Sequence, residues 1–446
     1  MSSPQSPSDS RFDARAIWDA SIEAVLPTPL VARFLNSASI TPILQQSPRI
    51  LVVGGGKAGP GMAEGLESAL REQLPIIQGL INVPAGHHQP LQRIRLHAAR
   101  PQGVNEPTAN GVAGVYDMLH LLEQAGPDDI AICLLSGGAS ALLPAPVTGI
   151  TLADKLTVTR LLHRSGATIN EMNCVRKHLS RVKGGGFVRG FRGRQFISLI
   201  ISDVVGDPLD VIGSGPTAPD PTTFADALTV IDRYQLNSQL PPTVITYLQQ
   251  GVEGVNPETL KSLPASVHNH VIGNNRIALD AATAKANSLG YQVLDLGSFI
   301  EGETQPVATA VAGVIRSIRS HHHPIRPPAC LLLGGETTVT LGVGSGRGGR
   351  NQEFVLAVLT KLAAVSGGLE GVTILSGGTD GEDGPTDAAG AIADEQTVER
   401  ARTLGLSLEH SLLRHDAYPL FEATGDLLKS GLTGTNVMDV RVIIVR

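Results

Sequence analysis

Four apolar runs in this chain stop at glycines followed by a small polar, acidic or basic residue. They read Ile50-Leu51-Val52-Val53-Gly54-Gly55-Gly56-Lys57, Cys133-Leu134-Leu135-Ser136-Gly137-Gly138, Leu331-Leu332-Leu333-Gly334-Gly335-Glu336 and Ile374-Leu375-Ser376-Gly377-Gly378-Thr379-Asp380. A strand that ends on glycines can turn its backbone N–H groups toward an anion, and a following helix adds its positive end. One tip carries a lysine and two carry carboxylates, which predicts a site for phosphates and an accompanying metal ion. Gly55, Gly56, Ser136, Gly137, Gly138 and nearby Ser140 are the candidates for phosphate and nucleotide contact.

Gly54, Gly56 and Gly59 satisfy G-x-G-x-x-G, but a dinucleotide site also wants an acid about 20 residues on, for ribose hydroxyls. The second strand ends instead Leu80-Ile81-Asn82-Val83-Pro84. A P-loop is also absent, because Lys57 is followed by Ala58. A lysine held at a glycine turn suits the neutralisation of a transferring phosphoryl group. The plainer reading is a surface lysine on a tight turn.

Segment 173–186 is cationic and ends on three glycines. Arg176, Lys177 and Lys183 recur at helical spacing and can face one anion; the alternative is an exposed basic helix with a glycine cap. Asp203 and Asp207 follow an apolar run, where open α/β sheets bind ligands, although a capped turn explains them as well. Mg²⁺ takes one or two protein carboxylates beside waters and phosphate oxygens. Asp203, Asp207, Glu336 and Asp380 are therefore candidate ligands or water-holders, and not all four can ligate directly. Segment 342–353 sets Arg347 and Arg350 on a glycine-rich loop that opens an apolar helix. Arginine's planar fork suits carboxylate or phosphate. Segment 376–387 mixes acids and glycines but lacks the ligand alternation of an EF-hand.

The elements that must carry these groups alternate. A helix over 12–35 opens the chain, and strands at 49–53, 77–83, 130–135 and 196–201 are separated by helices at 59–74, 106–124 and 151–165, with Asn173 in a loop. This predicts an α/β fold with a doubly wound, Rossmann-like parallel sheet. Strands at 268–272, 292–296, 330–333, 372–375 and 440–445 predict a second, smaller α/β domain. The expected organisation is a flexible tail over 1–11, a first domain over 12–245 and a second over 246–446, with the active site in the cleft between them. His321-His322-His323 follows a helix at 307–319 and reads as a solvated loop rather than a metal cluster.

Composition narrows the class. At 446 residues two domains are expected. Aromatics are only 3%, so the core must be aliphatic, as in sheets covered by helices. A net charge of −6 without any long basic run excludes nucleic acid as a partner. Cys133, Cys174 and Cys330 have no metal spacing and read as buried thiols of a reducing compartment. No apolar stretch reaches spanning length, and residues 1–10 lack a signal-peptide pattern, so the expectation is a cytoplasmic protein without a membrane partner. A homo-oligomer is compatible with the chain but not specified by it.

Taken in order, these segments resemble the class II glycerate kinases, a two-domain family whose second domain is called MOFRL. The resemblance covers nearly the whole chain. It rests on Gly54-Gly55-Gly56-Lys57-Ala58, Leu135-Ser136-Gly137-Gly138-Ala139-Ser140, segment 173–185, Ser202-Asp203-Val204 with Gly206-Asp207, and Ser214-Gly215-Pro216-Thr217. It continues through Gly335-Glu336-Thr337-Thr338-Val339, Gly348-Gly349-Arg350-Asn351-Gln352-Glu353, Thr379-Asp380-Gly381, Asp383-Gly384-Pro385-Thr386 and Thr433-Gly434-Thr435-Asn436-Val437. It implies ATP-dependent phosphorylation of D-glycerate to 2-phosphoglycerate with Mg²⁺, and Lys57 and Arg350 as catalytic residues. Within that reading Lys183 joins the glycine tips at the nucleotide, and Arg176, Asn351 and Glu353 are the candidates for glycerate. The chain departs from the family at Gly431-Leu432-Thr433, where Gly-Pro-Thr is usual. After His87-His88 it has Asn105-Glu106-Pro107 in place of Pro-Asp-Glu. An NAD(P)H-dependent hydroxypyruvate reductase is the competing enzyme, and the missing ribose carboxylate argues against it. A sugar-phosphate-binding regulator without turnover is the third reading, and the acids on the glycine loops argue against that.

Overall fold

The computed structural model describes residues 7–86, 91–101, 103–104, 106–342 and 344–446. Residues 1–6 of the expected tail, His87, His88, Asn105 and Val343 lie outside them. The chain divides into two compact units, Pro27–Ile272 and Met1–Leu26 with Gly273–Arg446.

In the first unit β1 (Ile50–Gly55), β2 (Ile77–Pro84), β3 (Ile94–Arg100), β4 (Ile130–Leu135), β5 (Gln195–Ile201) and β6 (Val267–Gly273) form one sheet, in the order β3-β2-β1-β4-β5-β6. The pairs from β3 through β5 are parallel. Every residue of β1 and β4 is buried, which is why these strands read as unbroken aliphatic runs. The strand order turns back between β1 and β4, so the carboxyl ends of these two strands mark the crevice where such sheets take ligands.

Beyond the sheet, helices Leu152–Arg164, Ile169–His178, Phe224–Arg233 and Pro242–Val252 enclose a second core around Val158, Leu162, Val175, Phe224 and Leu248. Two capping boxes fix where the first two helices begin: Thr151 with Asp154 and Thr168 with Glu171. Each such cap contributes about 1 kcal/mol. They set the positions of Lys155 and Arg176 on neighbouring helices.

The second unit holds β7 (Gln292–Asp295), β8 (Ile300–Glu303), β9 (Ala329–Thr338), β10 (Val372–Gly378), β11 (Gly390–Ala393), β12 (Leu427–Leu428) and β13 (Asp439–Val445). Their order is β12-β11-β10-β13-β9-β7, with β8 also on β9. β7 and β8 run parallel to β9, while β13 is antiparallel to both β9 and β10. Helix Arg350–Ala363 is buried on all sides from Asn351 to Leu359, so it is the central helix of this unit.

Several boundaries differ from expectation, for identifiable reasons. The opening helix is two helices, Pro7–Glu23 and Pro27–Leu35, because Pro27 and Pro29 start a new first turn. The first of them belongs to the second unit. Its Trp18 is 1% exposed and donates to the Gly377 carbonyl, and its Asp13 accepts from Tyr291 and Arg446. The chain is thus helical from Pro7, and Arg11, placed in the expected tail, pairs with Asp394 and Asp426. The strand at 267–273 adds to the first sheet rather than the second, following a bond from Phe196 N to Ser266 O. The division at 245/246 moves accordingly. Asn173 is helical, since the Thr168 cap starts a helix ahead of it. β3 had no clear signal, because it is an edge strand with charged and polar positions.

His321–His323 are exposed where helix Thr304–His321 ends, and the three cysteines are buried and free. Among the described residues no helix is long and apolar enough to cross a membrane.

Candidate functional site

The tips of β1 and β4 interlock. Lys57 N donates to Gly137 O at 2.8 Å, Ala58 N to Ser136 Oγ at 3.0 Å, and Ser136 N to Gly55 O at 3.4 Å. Gly56 must be glycine here, because a Cβ would meet Ser136 Oγ at 2.0 Å. The two glycine tips are thereby one structure, and helix Gly59–Ala69 starts directly behind it with no side chain capping its first turn. A Cβ on Gly138 would lie 3.4 Å from an Arg100 terminal nitrogen and 3.5 Å from Lys57 Cγ. Lys57 and Arg100 therefore both border the β4 tip. Arg100 closes β3, is 5% exposed and has no partner at Nε; burial lowers its pKa.

Ser140, one turn further on, is a node. Arg176 donates to its hydroxyl, and Lys183 Nζ reaches the same oxygen at 2.9 Å, Ser214 Oγ at 3.2 Å and the Ser140 and Gly213 carbonyls, each at 3.2 Å. Asn173 Oδ1 accepts from Ser214 Oγ at 3.0 Å and from Arg176 at 3.3 Å. Lys183 has neutral partners only, and burial, then the charges of Arg176, Lys155 and Lys177, hold its pKa well below the usual lysine value. Arg176 and Lys183 share one hydroxyl, so their cationic ends converge at Ser140. Lys177 does not join them: Asp210 at 3.1 Å and Asp220 at 3.2 Å neutralise it.

Asp203 and Asp207 sit past the end of β5 in a turn closed by Asp207 N to Val204 O at 3.1 Å, with Asp207 at φ +55°. Both are partly buried.

In the second unit the β9 and β10 tips flank the first residue of β13, Asp439, which pairs in register with Gly335 and Gly378. Arg350 donates to Asp439 through Nε at 2.7 Å and a terminal nitrogen at 3.0 Å, and its other terminal nitrogen lies 2.9 Å from Glu336. Burial opposes the Arg350 charge, but Asp439 and then Glu336 raise its pKa above the ordinary value. Glu336 is itself shifted upward, by desolvation first and then by Asp439 and Asp380. Arg441, fully buried behind Asp439, donates to it at 3.1 Å and to Thr337 at 3.0 Å.

The start of helix Arg350–Ala363 is closed by a carboxylate of the chain itself. Asp383 accepts from Asn351 N at 3.0 Å and Gln352 N at 2.8 Å, and burial raises its pKa to about 6 despite those bonds. Asn351 is fully buried, donating to Asp383 and Asp439 and accepting from Ser376. Glu353 is buried on Gln305 and His415. Both had been expected on the substrate; the structure gives their polar atoms to protein partners that hold the Arg350 turn.

The four candidate metal carboxylates fall two to each unit. Among the described residues no three His, Cys, Asp or Glu side chains form a metal-holding group. The donor set fits Mg²⁺ as an ion with one or two protein carboxylates, the rest being water and phosphate oxygens. Glu336 is the least suited of the four, because Arg350 already engages it and its shift favours the protonated form.

Sequence reasoning missed Arg100, Lys155, Asp439 and Arg441. Asp439 and Arg441 alternate with Val440 and Val442 at the start of an otherwise apolar strand, which puts both charges on one face of a core sheet. Lys155 precedes Val158 and Leu162 on one helical stripe, a lysine in a buried row.

Residues 13–249 match a family described as a domain of unknown function, DUF4147, and residues 329–439 match the MOFRL family. A glycerate 2-kinase of Pyrococcus horikoshii is 38% identical over 89% of this chain and 87% of its own length. A protein of Agrobacterium vitis, named provisionally as a hydroxypyruvate reductase, is 39% identical over 97% of this chain and 93% of its own. The crystal structure of a glycerate kinase from Thermotoga maritima superposes with a TM-score of 0.86 at 34% identity, covering 99% of this chain and 100% of that one. With both domains matched in order and the glycine tips meeting at the switch point, the chain belongs to the two-domain glycerate kinase family.

Proposed function

We propose that the protein transfers the γ-phosphoryl group of ATP to the 2-hydroxyl of D-glycerate, giving 2-phosphoglycerate and ADP. The observation that carries this reading is the interlocking of the β1 and β4 tips, with the Lys57 side chain beside Gly138. Phosphoryl transfer asks mainly for positioning and for fixed positive charge where negative charge develops. Lys57, on a turn held by two strand ends, supplies such a charge without reorganisation. Arg350 commits three of its five N–H donors to Asp439 and Glu336, which orients the remaining two. Those two serve the transferring group or the glycerate carboxylate. Asn351 and Glu353 act as positioning groups for that turn. Mg²⁺, when bound, would supply neutralisation of the phosphate oxygens, with Asp203 and Asp207 of the one unit, or alternatively Asp380 of the other, as the residues to hold it directly or through water. The name of the Pyrococcus relative supports the 2-position.

Reduction of hydroxypyruvate fits less well. At the end of β2, where a dinucleotide fold places its ribose acid, Asn82 is fully buried and its amide nitrogen donates to the Gly111 and Leu142 carbonyls.

One pair of assays decides between them: D-glycerate, ATP and Mg²⁺ scored for ADP, against hydroxypyruvate with NADH or NADPH scored for cofactor oxidation. Glycerate-dependent ADP release is expected, and cofactor oxidation without it overturns the proposal. Phosphorus NMR of the product tests the position, which a 3-phosphoglycerate signal would refute.

A further inference from the structure

Beside Ser140 lies a cavity of about 570 Å³ that reaches from Gly138 of the β4 tip along helix Leu152–Arg164. Lys155, Arg176 and Lys183 line its inner end. Lys155 is 9% exposed, and its Nζ has no hydrogen-bond partner. Arg176 and Lys183 have only the neutral partners given above. Among the described lining residues the one carboxylate is Glu106, and it is held at the rim by Arg160, 3.1 Å away. Three basic side chains thus share a partly desolvated space without a counter-charge, so their charged forms are costly there until an anion arrives.

The charge and the walls together select the anion. A single carboxylate can offset only one of these three groups in its charged form, whereas a polyphosphate can meet all three. Arg160, His163 and Arg164 extend the positive surface outward along helix Leu152–Arg164. The remaining wall is apolar, with Leu152, Leu156, Pro107 and Pro144, and offers a flat heterocycle a place against aliphatic surface. The volume lies in the range of sites that enclose a nucleotide-sized ligand and exceeds what a three-carbon acid fills.

We infer that this cavity is the nucleotide pocket, in which Lys155, Arg176 and Lys183 bind the polyphosphate of ATP and the aliphatic wall receives the base. Ser140, one turn from the β4 tip, then links the pocket to Lys57 across Gly138. The identification of the polyanion as ATP rests on the kinase reading; the demand for a polyanion does not. Burial, then Arg176, lowers the Lys155 pKa to about 7, as expected of an ammonium group awaiting its counter-charge.

The test compares wild type with Lys155→Met by calorimetric titration of ATP, inorganic tripolyphosphate and D-glycerate in turn, and by steady-state KM values for both substrates. Losing a charge-assisted contact should weaken ATP and tripolyphosphate by roughly tenfold to a hundredfold, while the glycerate KM stays within about twofold. Weakening of glycerate alone, or unchanged affinity for all three, overturns the assignment. Tripolyphosphate affinity lost without loss of ATP affinity overturns the nucleotide identity. A wild type that binds ATP here without phosphorylating glycerate refutes the kinase reading and leaves the pocket standing. Thermal unfolding of both proteins without ligand guards against misfolding, and Lys155→Arg, which keeps the charge, should recover part of the ATP affinity.

Discussion

Arg350 meets Asp439 through two nearly parallel contacts, Nε to Oδ2 at 2.7 Å and a terminal nitrogen to Oδ1 at 3.0 Å. Arg441 approaches the same carboxylate from the buried side at 3.1 Å. One carboxylate therefore stands between two guanidiniums, one facing the loops and one facing the core. Replacing it as Asp439→Asn leaves Arg441 buried without its counter-charge. Breaking such a pair costs about 3–5 kcal/mol, and the freed Arg350 turn should lower kcat as well. Chemical denaturation and steady-state kinetics on the same preparation check both. Full stability with normal kcat would show that the pair is incidental.

Lys57→Ala should lower turnover by ~10²–10³ while leaving the unfolding midpoint unchanged, the scale for losing one fixed donor to developing charge. Its backbone N–H, which ties β1 to Gly137, is retained in that variant. Gly56→Ala should do the reverse damage, destabilising the unit, since its Cβ would overlap Ser136 Oγ. A Lys57→Ala enzyme with more than about a tenth of wild-type turnover would exclude the side chain from the chemistry.

Lys155 gives a pH-dependent signature. Its folded pKa of about 7 lies below the ordinary 10.5, so between those values the unfolded chain holds more protons and stability rises with pH. Lys155→Met removes that contribution. The variant should be more stable than wild type without ligand, by most at or below pH 7, and the gap should close toward pH 10.5. Denaturation across that window measures it, and a variant less stable at pH 6 contradicts the unpaired buried charge. ATP binding near pH 8 should take up protons in wild type, visible as a buffer-dependent calorimetric enthalpy, and less so in the variant.

Asp207→Asn should raise the Mg²⁺ concentration needed for half-maximal rate, and the same shift in Asp380→Asn alone would assign the ion to the other unit. Asparagine tolerates the positive φ at position 207, so the turn survives the change. Metal titration of the rate reads the shift. If neither variant moves it, the ion is held elsewhere.

The alternation of apolar runs and glycine tips was enough to place β1, β2, β4, β5, β9, β10 and β13 within a few residues, because buried strands leave an unbroken signal. The tips of β1 and β4, expected as ligand-facing ends, interlock where the strand order turns back. What was hidden depends on distant partners. Nothing local shows that Ser140 gathers Arg176 and Lys183, whose bonds span 36 and 43 residues. Asn351 and Glu353 look like ligand groups in a motif, but burial turns their polar atoms inward. Asp439 is a lone acid until β9 and β10 close on either side of it.

Helix Pro7–Glu23 is made before Pro27–Ile272 but lodges with residues made after it. Asp13 bonds Arg446, Arg11 bonds Asp426, and Thr435 Oγ1 donates to the Val25 carbonyl. Pro27–Ile272 is thus an insert within the other unit, and vectorial synthesis delivers it complete while the opening helix still lacks its seat. That helix must stay unassembled through translation of over four hundred residues and dock only as β13 emerges. The two units therefore become complete at different points of synthesis: the insert has all its residues before β9 is made, whereas the Arg350 cluster, built on β13, must wait for that strand.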